Sequence, residues 1–424
     1  MLLRARIVVP VSTPPIENGG VVLSGDRITA VGRWDELRVD HAGGPVVDLG
    51  EAVLAPGWIN AHCHLDYTGF AGRIPPRKSF PDWIKQILAL KAHWSYTDYA
   101  ASWVAGAQML VRSGTTTVAD IEAAPELLPD IWASTPLRML SLLELTVVRT
   151  GRPAQAVLDE AVQVLATLPP GRKSGGFSPH APYSTTPELL RLTAEQALAS
   201  GCRMAIHVAE SHEEFEMFMH RTGSLHDWLK RQRNMSDCGL GSPVMHLARQ
   251  GALSPFTLAV HANYLAPGDA ALLASSGTGV AHCPRSHAYF QHQPFPLEEL
   301  RQAGVNLCIG TDSLASMITH QKQLPTLDMF AELRTLAQAQ PGLSPEFIVR
   351  MATLHGARAL GLAGQAGELT PNAHADMLVI PGAGSPDSVY ESIVHHQGPV
   401  QKVMIGGQWV EMHGSKINDY MPEI

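Results

Sequence analysis

The chain has 424 residues, 45% of them hydrophobic and 17% charged, too many for one small core and enough for a catalytic domain of roughly 250 to 300 residues with something smaller attached. Its 39 acidic side chains outnumber 31 basic ones, which excludes electrostatic recruitment of nucleic acid. The apolar run in "MLLRARIVVPVSTPP" is too short for a signal sequence and no later segment holds about 18 uninterrupted apolar residues, so the chain reads as cytoplasmic with no membrane partner.

Residues 1 to about 56 carry short β-rich runs, "ARIVVPV", "GGVVLSGDRITAVG" and "AVLAP", broken by Gly, Pro and Asp turn signals. The far C-terminus has the same texture in "ADMLVIPG" and "PVQKVMIGGQWVEM", after a helical stretch "PEFIVRMATLHGARALGL". Residues 1–56 plus 363–424 are therefore expected to form one composite β domain. Residues 57–362 would be an insert within it. There, short apolar strands alternate with helical patterns such as "TPELLRLTAEQALASG" and "DAALLASSG", the βα signature of a parallel sheet. Eight strands are predicted: "GWINAH", "TTTVADI", "RMLSLLELT", "GGFSPHA", "MAIHVAE", "TLAVHAN", "TGVAHCP" and "VNLCIGTD". Eight units over about 300 residues suggest an α/β fold of the (β/α)₈ TIM-barrel type. An open doubly wound sheet is the alternative, although no GxGxxG turn follows the first strand and no P-loop sequence occurs. The five cysteines, Cys63, Cys202, Cys238, Cys283 and Cys308, form no CxxC pair, which argues against a disulfide framework and a thiolate zinc site.

"APGWINAHCHLD" places His62 and His64 one residue apart. Among 20 histidines roughly one such pair is expected by chance, so the pair alone proves little. Its company is more telling. His180 ends the fourth predicted strand, His207 and Glu210 the fifth, His261 the sixth, His282 the seventh and Asp312 the eighth. In a closed barrel those ends converge on one face, where barrel active sites sit. Residues i and i+2 of a strand point the same way, so His62 and His64 can aim at one ion. With His207 and Asp312 they make a nitrogen and oxygen set suited to zinc, and also to iron or manganese, with a position left for water.

"HCH", "HVAE", "VHAN" and "GTDS" in this order, with the flanks "LAPGWINAHCHLD", "SGTTTVAD", "SPHAPYS" and "ATLHGARALGL…GELTPNAHADMLVI", closely resemble the amidohydrolase superfamily, specifically its aminohydrolase branch. That branch includes guanine, S-adenosylhomocysteine and aminofutalosine deaminases and triazine chlorohydrolases. The resemblance covers nearly the whole chain. It implies a metal-bearing barrel inserted in a β-sandwich formed from both chain ends. It further implies that His62, His64, His207 and Asp312 bind one divalent ion, that Glu210 shuttles protons, and that His261 contacts the attacked centre or the water. Asp312 and His261 would accept the proton of the nucleophilic water. Binuclear members usually carry a bridging lysine or glutamate at the end of the fourth strand; "SPHAPYS" has His180 there, so one ion is expected. The unrelated zinc nucleobase deaminases need P-C-x-x-C, which is absent.

His180 resembles the position that contacts the sugar or ring in nucleoside-type deaminases, and His282 and Arg149 are further candidates for substrate contact. Trp83 and Phe70 fall in the long segment after the first strand, where a lid is expected. "HCPRSHAYF" puts His287 where the branch commonly has asparagine, and "LDYTGFAG" also departs from the usual continuation. The expected activity is hydrolytic deamination of a 6-aminopurine nucleoside derivative, of the adenosine thioether or aminodeoxyfutalosine type, with release of ammonia. Hydrolysis of another C–N or C–Cl bond, in guanine, a triazine or a cyclic amide, is the alternative within enzymes, and a barrel scaffold without catalysis the alternative outside them. Dimers are common in the families it resembles, which allows a homodimer.

Overall fold

The β-branched runs at the two chain ends pair with each other. The computed structural model describes residues 1–41, 43–75, 79–148, 151–319, 324–382 and 384–411. Strands β1 (Leu2–Val8), β2 (Ile16–Ser24), β3 (Arg27–Arg33), β4 (Val46–Asp48) and β5 (Ala52–Pro56) come from the beginning of the chain. After the barrel strands, β14 (Met377–Pro381), β15 (Lys402–Ile405) and β16 (Gln408–Trp409) come from its end. Together they form one mixed sheet in the order β16-β15-β14-β5-β1-β2-β3, with β4 beside β1. The sheet bends back on itself: the Ala375 N–H donates to the Asp26 carbonyl at 2.8 Å, and Arg27 bridges to His374. Leu3, Val21, Ile28, Leu54, Val379 and Met404 fill the core this encloses.

The other sheet is the barrel, β6 (Trp58–Cys63), β7 (Thr115–Glu122), β8 (Arg138–Leu145), β9 (Lys173–Pro179), β10 (Met204–Val208), β11 (Thr257–His261), β12 (Gly279–His282) and β13 (Leu307–Ile309), parallel and in sequence order. β7, β10, β11 and β12 are buried along their whole length. Helices cover the outside of a parallel sheet, so its strands read as unbroken apolar runs. The first and last strands meet where the Asp312 N–H donates to the His62 carbonyl at 3.0 Å. Gly310 permits that approach, because a Cβ there would lie 2.7 Å from the His62 carbonyl oxygen. Sheet and barrel are joined by a buried ion pair, Arg138 at the start of β8 with Asp376, at 3.0 Å.

Two sequence expectations are corrected. The predicted strands "MAIHVAE", "TLAVHAN" and "VNLCIGTD" run too far: β10, β11 and β13 stop before Glu210, Asn263 and Asp312. The backbone turns left-handed at Ala209 (φ 50°), His261 (φ 74°), Ala262 (φ 50°) and Asp312 (φ 54°), which strand geometry cannot continue. The stretch "PEFIVRMATLHGARALGL" is two short helices, Pro345–Met351 and Leu354–Ala359, broken at Thr353, whose hydroxyl donates back to the Val349 carbonyl at 2.6 Å. Among the described residues, no helix is long and apolar enough to cross a membrane.

Candidate active site

At the C-terminal mouth of the barrel the structure brings His62, His64, His207, His261, Glu210 and Asp312 together, all of them buried. His62 and His64 follow one another along the end of β6, His207 lies within β10, His261 ends β11, and Asp312 sits three residues past β13. The ligand atoms of His62, His64 and His207 lie within 4.8 Å of one another, as do those of His62, His261 and Asp312. His64 Nε2 is 3.2 Å from His207 Nε2, and Asp312 Oδ1 is 3.6 Å from His62 Nε2 and 3.8 Å from His64 Nε2. Ligands bound at zinc distances around a tetrahedral ion stand about 3.3 Å apart. The spacing fits.

Hydrogen bonding fits as well. His207 Nδ1 lies 2.8 Å from the His180 carbonyl, which assigns its proton to Nδ1 and leaves the Nε2 lone pair aimed at His64. The buried His62 Nε2 and His261 Nε2 have no hydrogen-bond partner among the described residues. Buried polar atoms without partners are costly, and a cation among them removes that cost. Burial depresses the basicity of His64 and His207 well below the ordinary imidazole range and brings His261 down to about 3, so these rings are neutral and free to donate lone pairs. Burial alone would raise Asp312, but the adjoining His62, with the electrostatic pull of the neighbouring His261 and His64 rings, holds it well below the usual carboxylate range. The donor set is that of a divalent-metal site.

Around this cluster are groups that sequence reasoning did not find. Asp312 Oδ2 accepts from the hydroxyls of Ser286 (2.6 Å) and Ser316 (3.1 Å), which turns Oδ1 toward the imidazoles. Asn60 donates to Thr311 Oγ1 at 2.7 Å and accepts from the Thr311 N–H at 3.0 Å, tying β6 to the Asp312 loop. Asp120 accepts from the Leu65 N–H and the Trp103 indole, fixing the turn that carries His64. Glu214 accepts the Glu210 N–H at 2.9 Å, and Asn263 donates to the Glu210 carbonyl at 2.9 Å. Glu214, four residues beyond Glu210 in "AESHEE", is buried rather than solvated. Such supporting hydrogen bonds depend on distant loops meeting, and no local pattern encodes them.

Glu210 itself lines the cavity, with Oε1 3.7 Å from His261 Nε2. Burial, with the neighbouring carboxyls of Asp312, Glu214 and Glu213 adding to it, pushes its carboxyl well above the ordinary range. The cavity has a volume of about 440 Å³. Its inner end carries His64, His207, Glu210, His261 and Asp312, and its outer wall Trp83, Ile84, Ile87, Leu88, Trp228 and Leu229. His180 and Trp83 line it, Trp83 with its indole N–H donated to the Ala315 carbonyl at 3.2 Å. His282 is placed elsewhere, stacked on Phe295 with ring centroids 3.9 Å apart and with His287 edge-on. Phe70 is buried against Trp94 and Tyr67 behind the cavity wall. Arg149 lies outside the described residues.

Residues 53–410 match the Amidohydrolase family. The chain belongs to that family. It is accordingly a hydrolase acting on carbon–nitrogen bonds. It is 30% identical to a 5-methylthioadenosine/S-adenosylhomocysteine deaminase of Moorella thermoacetica over 98% of this chain and 94% of that protein. It is 32% identical to an aminodeoxyfutalosine deaminase of Deinococcus radiodurans over 81% of each. Its fold superimposes on an adenosine deaminase of Xanthomonas campestris solved with bound zinc, with a TM-score of 0.83 and 25% identity over 96% and 92% of the two chains.

Proposed function

We propose that this protein is a zinc-dependent deaminase of 6-aminopurine nucleosides that bear an apolar 5′ substituent. The observation that carries this reading is a buried Glu210 carboxyl beside a cluster of imidazole and carboxylate donors, in a cavity that also has an aromatic and aliphatic wall. His62, His64, His207 and Asp312 would hold the ion. When bound, the ion supplies Lewis acidity that makes water a nucleophile near neutral pH. Asp312 and His261 stand where they can orient that water and take up its proton. Glu210 in its acid form donates its proton to the ring nitrogen next to the attacked carbon; the carboxylate so formed takes up the proton that Asp312 and His261 drew from the water and passes it to the departing amine, and the remaining hydroxyl proton of the attacking water restores the acid as the carbon–nitrogen bond breaks. The ring carbon becomes a carbonyl. His180 and Trp83 are the side chains of the cavity wall to which we assign substrate contact.

The outer wall supports the choice of substrate class, since Trp83, Trp228, Ile84 and Leu229 offer apolar surface to a thioether or aryl substituent. The names of the two deaminase relatives agree with the 6-aminopurine nucleoside part of this reading. The test is ammonia release by the metal-loaded protein with 5′-methylthioadenosine, S-adenosylhomocysteine, aminodeoxyfutalosine, guanine and a chlorotriazine. Ammonia from the adenosine derivatives is expected; chloride or a ring-opened product without ammonia overturns the reading. Glu210→Gln should lower kcat by about 10²- to 10⁴-fold with zinc content unchanged by elemental analysis. Normal turnover by that variant would remove the proton-shuttle role.

A further inference from the structure

A second cavity, of about 510 Å³, lies at the opposite end of the barrel strands from the active site, in the seam between barrel and end sheet. Thr117 near the start of β7, Arg138 at the start of β8 and Ser174 near the start of β9 line it from the barrel. Arg27, at the start of β3, and His374, three residues before β14, line it from the end sheet, where their backbones bridge. Arg172, which directly precedes β9, lines it as well. In a chain whose net charge is −8, three guanidinium groups around one cavity run against the composition.

The bonds within the protein do not exhaust these cations. Arg138 gives Nε and Nη2 hydrogens to Asp376 Oδ2, at 3.1 and 3.0 Å, which leaves Nη1 unpaired among the described residues. There, Arg172 bonds through Nη1 alone, to the Pro136 carbonyl at 3.3 Å, and Arg27 through Nη1 alone, to the Asn372 carbonyl at 2.9 Å. Arg172 and Arg138 are close neighbours: a Cβ on Gly406 would collide with Arg172 Nη2, and the Gly406 N–H donates to Asp376 Oδ1 at 2.7 Å. The other carboxylate of the lining, Asp26, is 4.0 Å from Arg27 Nε and 3.8 Å from His374 Nδ1, beyond hydrogen-bond reach, and its side chain is 58% exposed, so water weakens its field. Two buried polar atoms of the lining have no partner among the described residues: the hydroxyl of Thr117, a residue 1% exposed, and His374 Nδ1. Native interiors rarely leave such atoms unpaired, because each costs free energy until a partner arrives.

Unused guanidinium donors from three segments fit an anion with several acceptor oxygens. A flat carboxylate offers two oxygens to one fork, whereas the terminal oxygens of a phosphate diverge and can meet Arg27, Arg138 and Arg172 from different sides. Met139, Leu140, Leu360 and Leu362 add an apolar patch, and a cavity of this volume holds an organic body beside the anion. We propose that this cavity binds a phosphomonoester, its phosphate on Arg27, Arg138 and Arg172 and its organic body against Leu360 and Leu362. The site is separate from the deaminase cavity and does not depend on the deaminase reading. A ligand there touches barrel and end sheet at once and stabilises the folded chain by mass action.

The experiment is calorimetric titration of the metal-loaded protein with phenyl phosphate, inorganic phosphate and benzoate at constant ionic strength. Phenyl phosphate should bind at least about tenfold tighter than either of the others, since it alone joins a phosphate to an apolar ring. Arg172→Met, and separately Ser174→Glu, which puts a carboxylate into the cavity, should each weaken that binding at least about tenfold. Both residues are exposed, so the urea midpoint of each variant should match the wild type. An ion in the active site would also attract phosphate, and the variants decide which site is filled. Phenyl phosphate affinity unchanged in both variants overturns the proposal. Wild-type affinity for phenyl phosphate no tighter than for benzoate or for inorganic phosphate overturns it too, and that comparison needs no variant to fold.

Discussion

Ser286→Ala isolates the support of the Asp312 carboxylate, the proposed metal ligand, from the carboxylate itself. The Ser286 hydroxyl donates to Asp312 Oδ2 at 2.6 Å, and both groups are buried. A hydrogen bond to a charged group contributes about 1.5 to 3 kcal/mol, which corresponds to about a 10- to 150-fold change in an equilibrium constant. Part of this is recovered, since Ser316 also donates to Oδ2, at 3.1 Å. The expected loss in zinc affinity is therefore about 10- to 30-fold, within the range found when outer partners of metal ligands are removed. Competition for zinc with a chromophoric chelator reads it directly, and Ser286→Ala/Ser316→Ala should lose more than either single change. Zinc affinity of Ser286→Ala within about twofold of wild type would refute the reasoning, because an unsupported Oδ2 should not hold Oδ1 in place as well.

Asp312→Asn and His207→Ala should weaken zinc retention on dialysis as well as turnover, unlike the change at Glu210; retention by both at wild-type level would exclude them as ligands. Arg138→Met strands the Asp376 carboxylate, which among the described residues keeps the Gly406 N–H at 2.7 Å, and should cost about 3 to 5 kcal/mol by urea unfolding, with Asp376→Asn in the same chain recovering part of it. A loss below about 1 kcal/mol would show the pair to be solvated. Burial pushes Glu214 up to about 8, so above the ordinary carboxylate range the folded protein keeps a proton that the unfolded chain releases. Stability from this group is full at about pH 4 and is lost as pH rises toward 8. Glu214→Gln should flatten the urea midpoint between about pH 5 and 8, while Glu332, also pushed up to about 8 by burial, keeps a residual slope. An unchanged slope would place Glu214 in contact with water.

The chain order of the strands, the two-part origin of the end sheet and the residues that face the mouth of the barrel could all be read before any coordinates. Each is a one-dimensional signal. Alternation along a strand puts His62 and His64 on one side, and a polar residue interrupting an apolar run marks a strand end, as at His261 and His282. Only the tertiary structure decided what those residues touch. The left-handed turns at Ala209, His261 and Asp312 end the strands early and swing Glu210 and Asp312 inward, and nothing in "VAE" or "GTD" announces a positive φ. It also set His282 against Phe295, away from the cavity that His180 lines, although both end barrel strands. Most of all it brought Arg27, Arg138 and Arg172, from three separate stretches of chain, to the lining of one cavity. Periodicity along a chain records which way a side chain points, whereas a distance of a few ångströms between remote segments depends on the packing of everything between them.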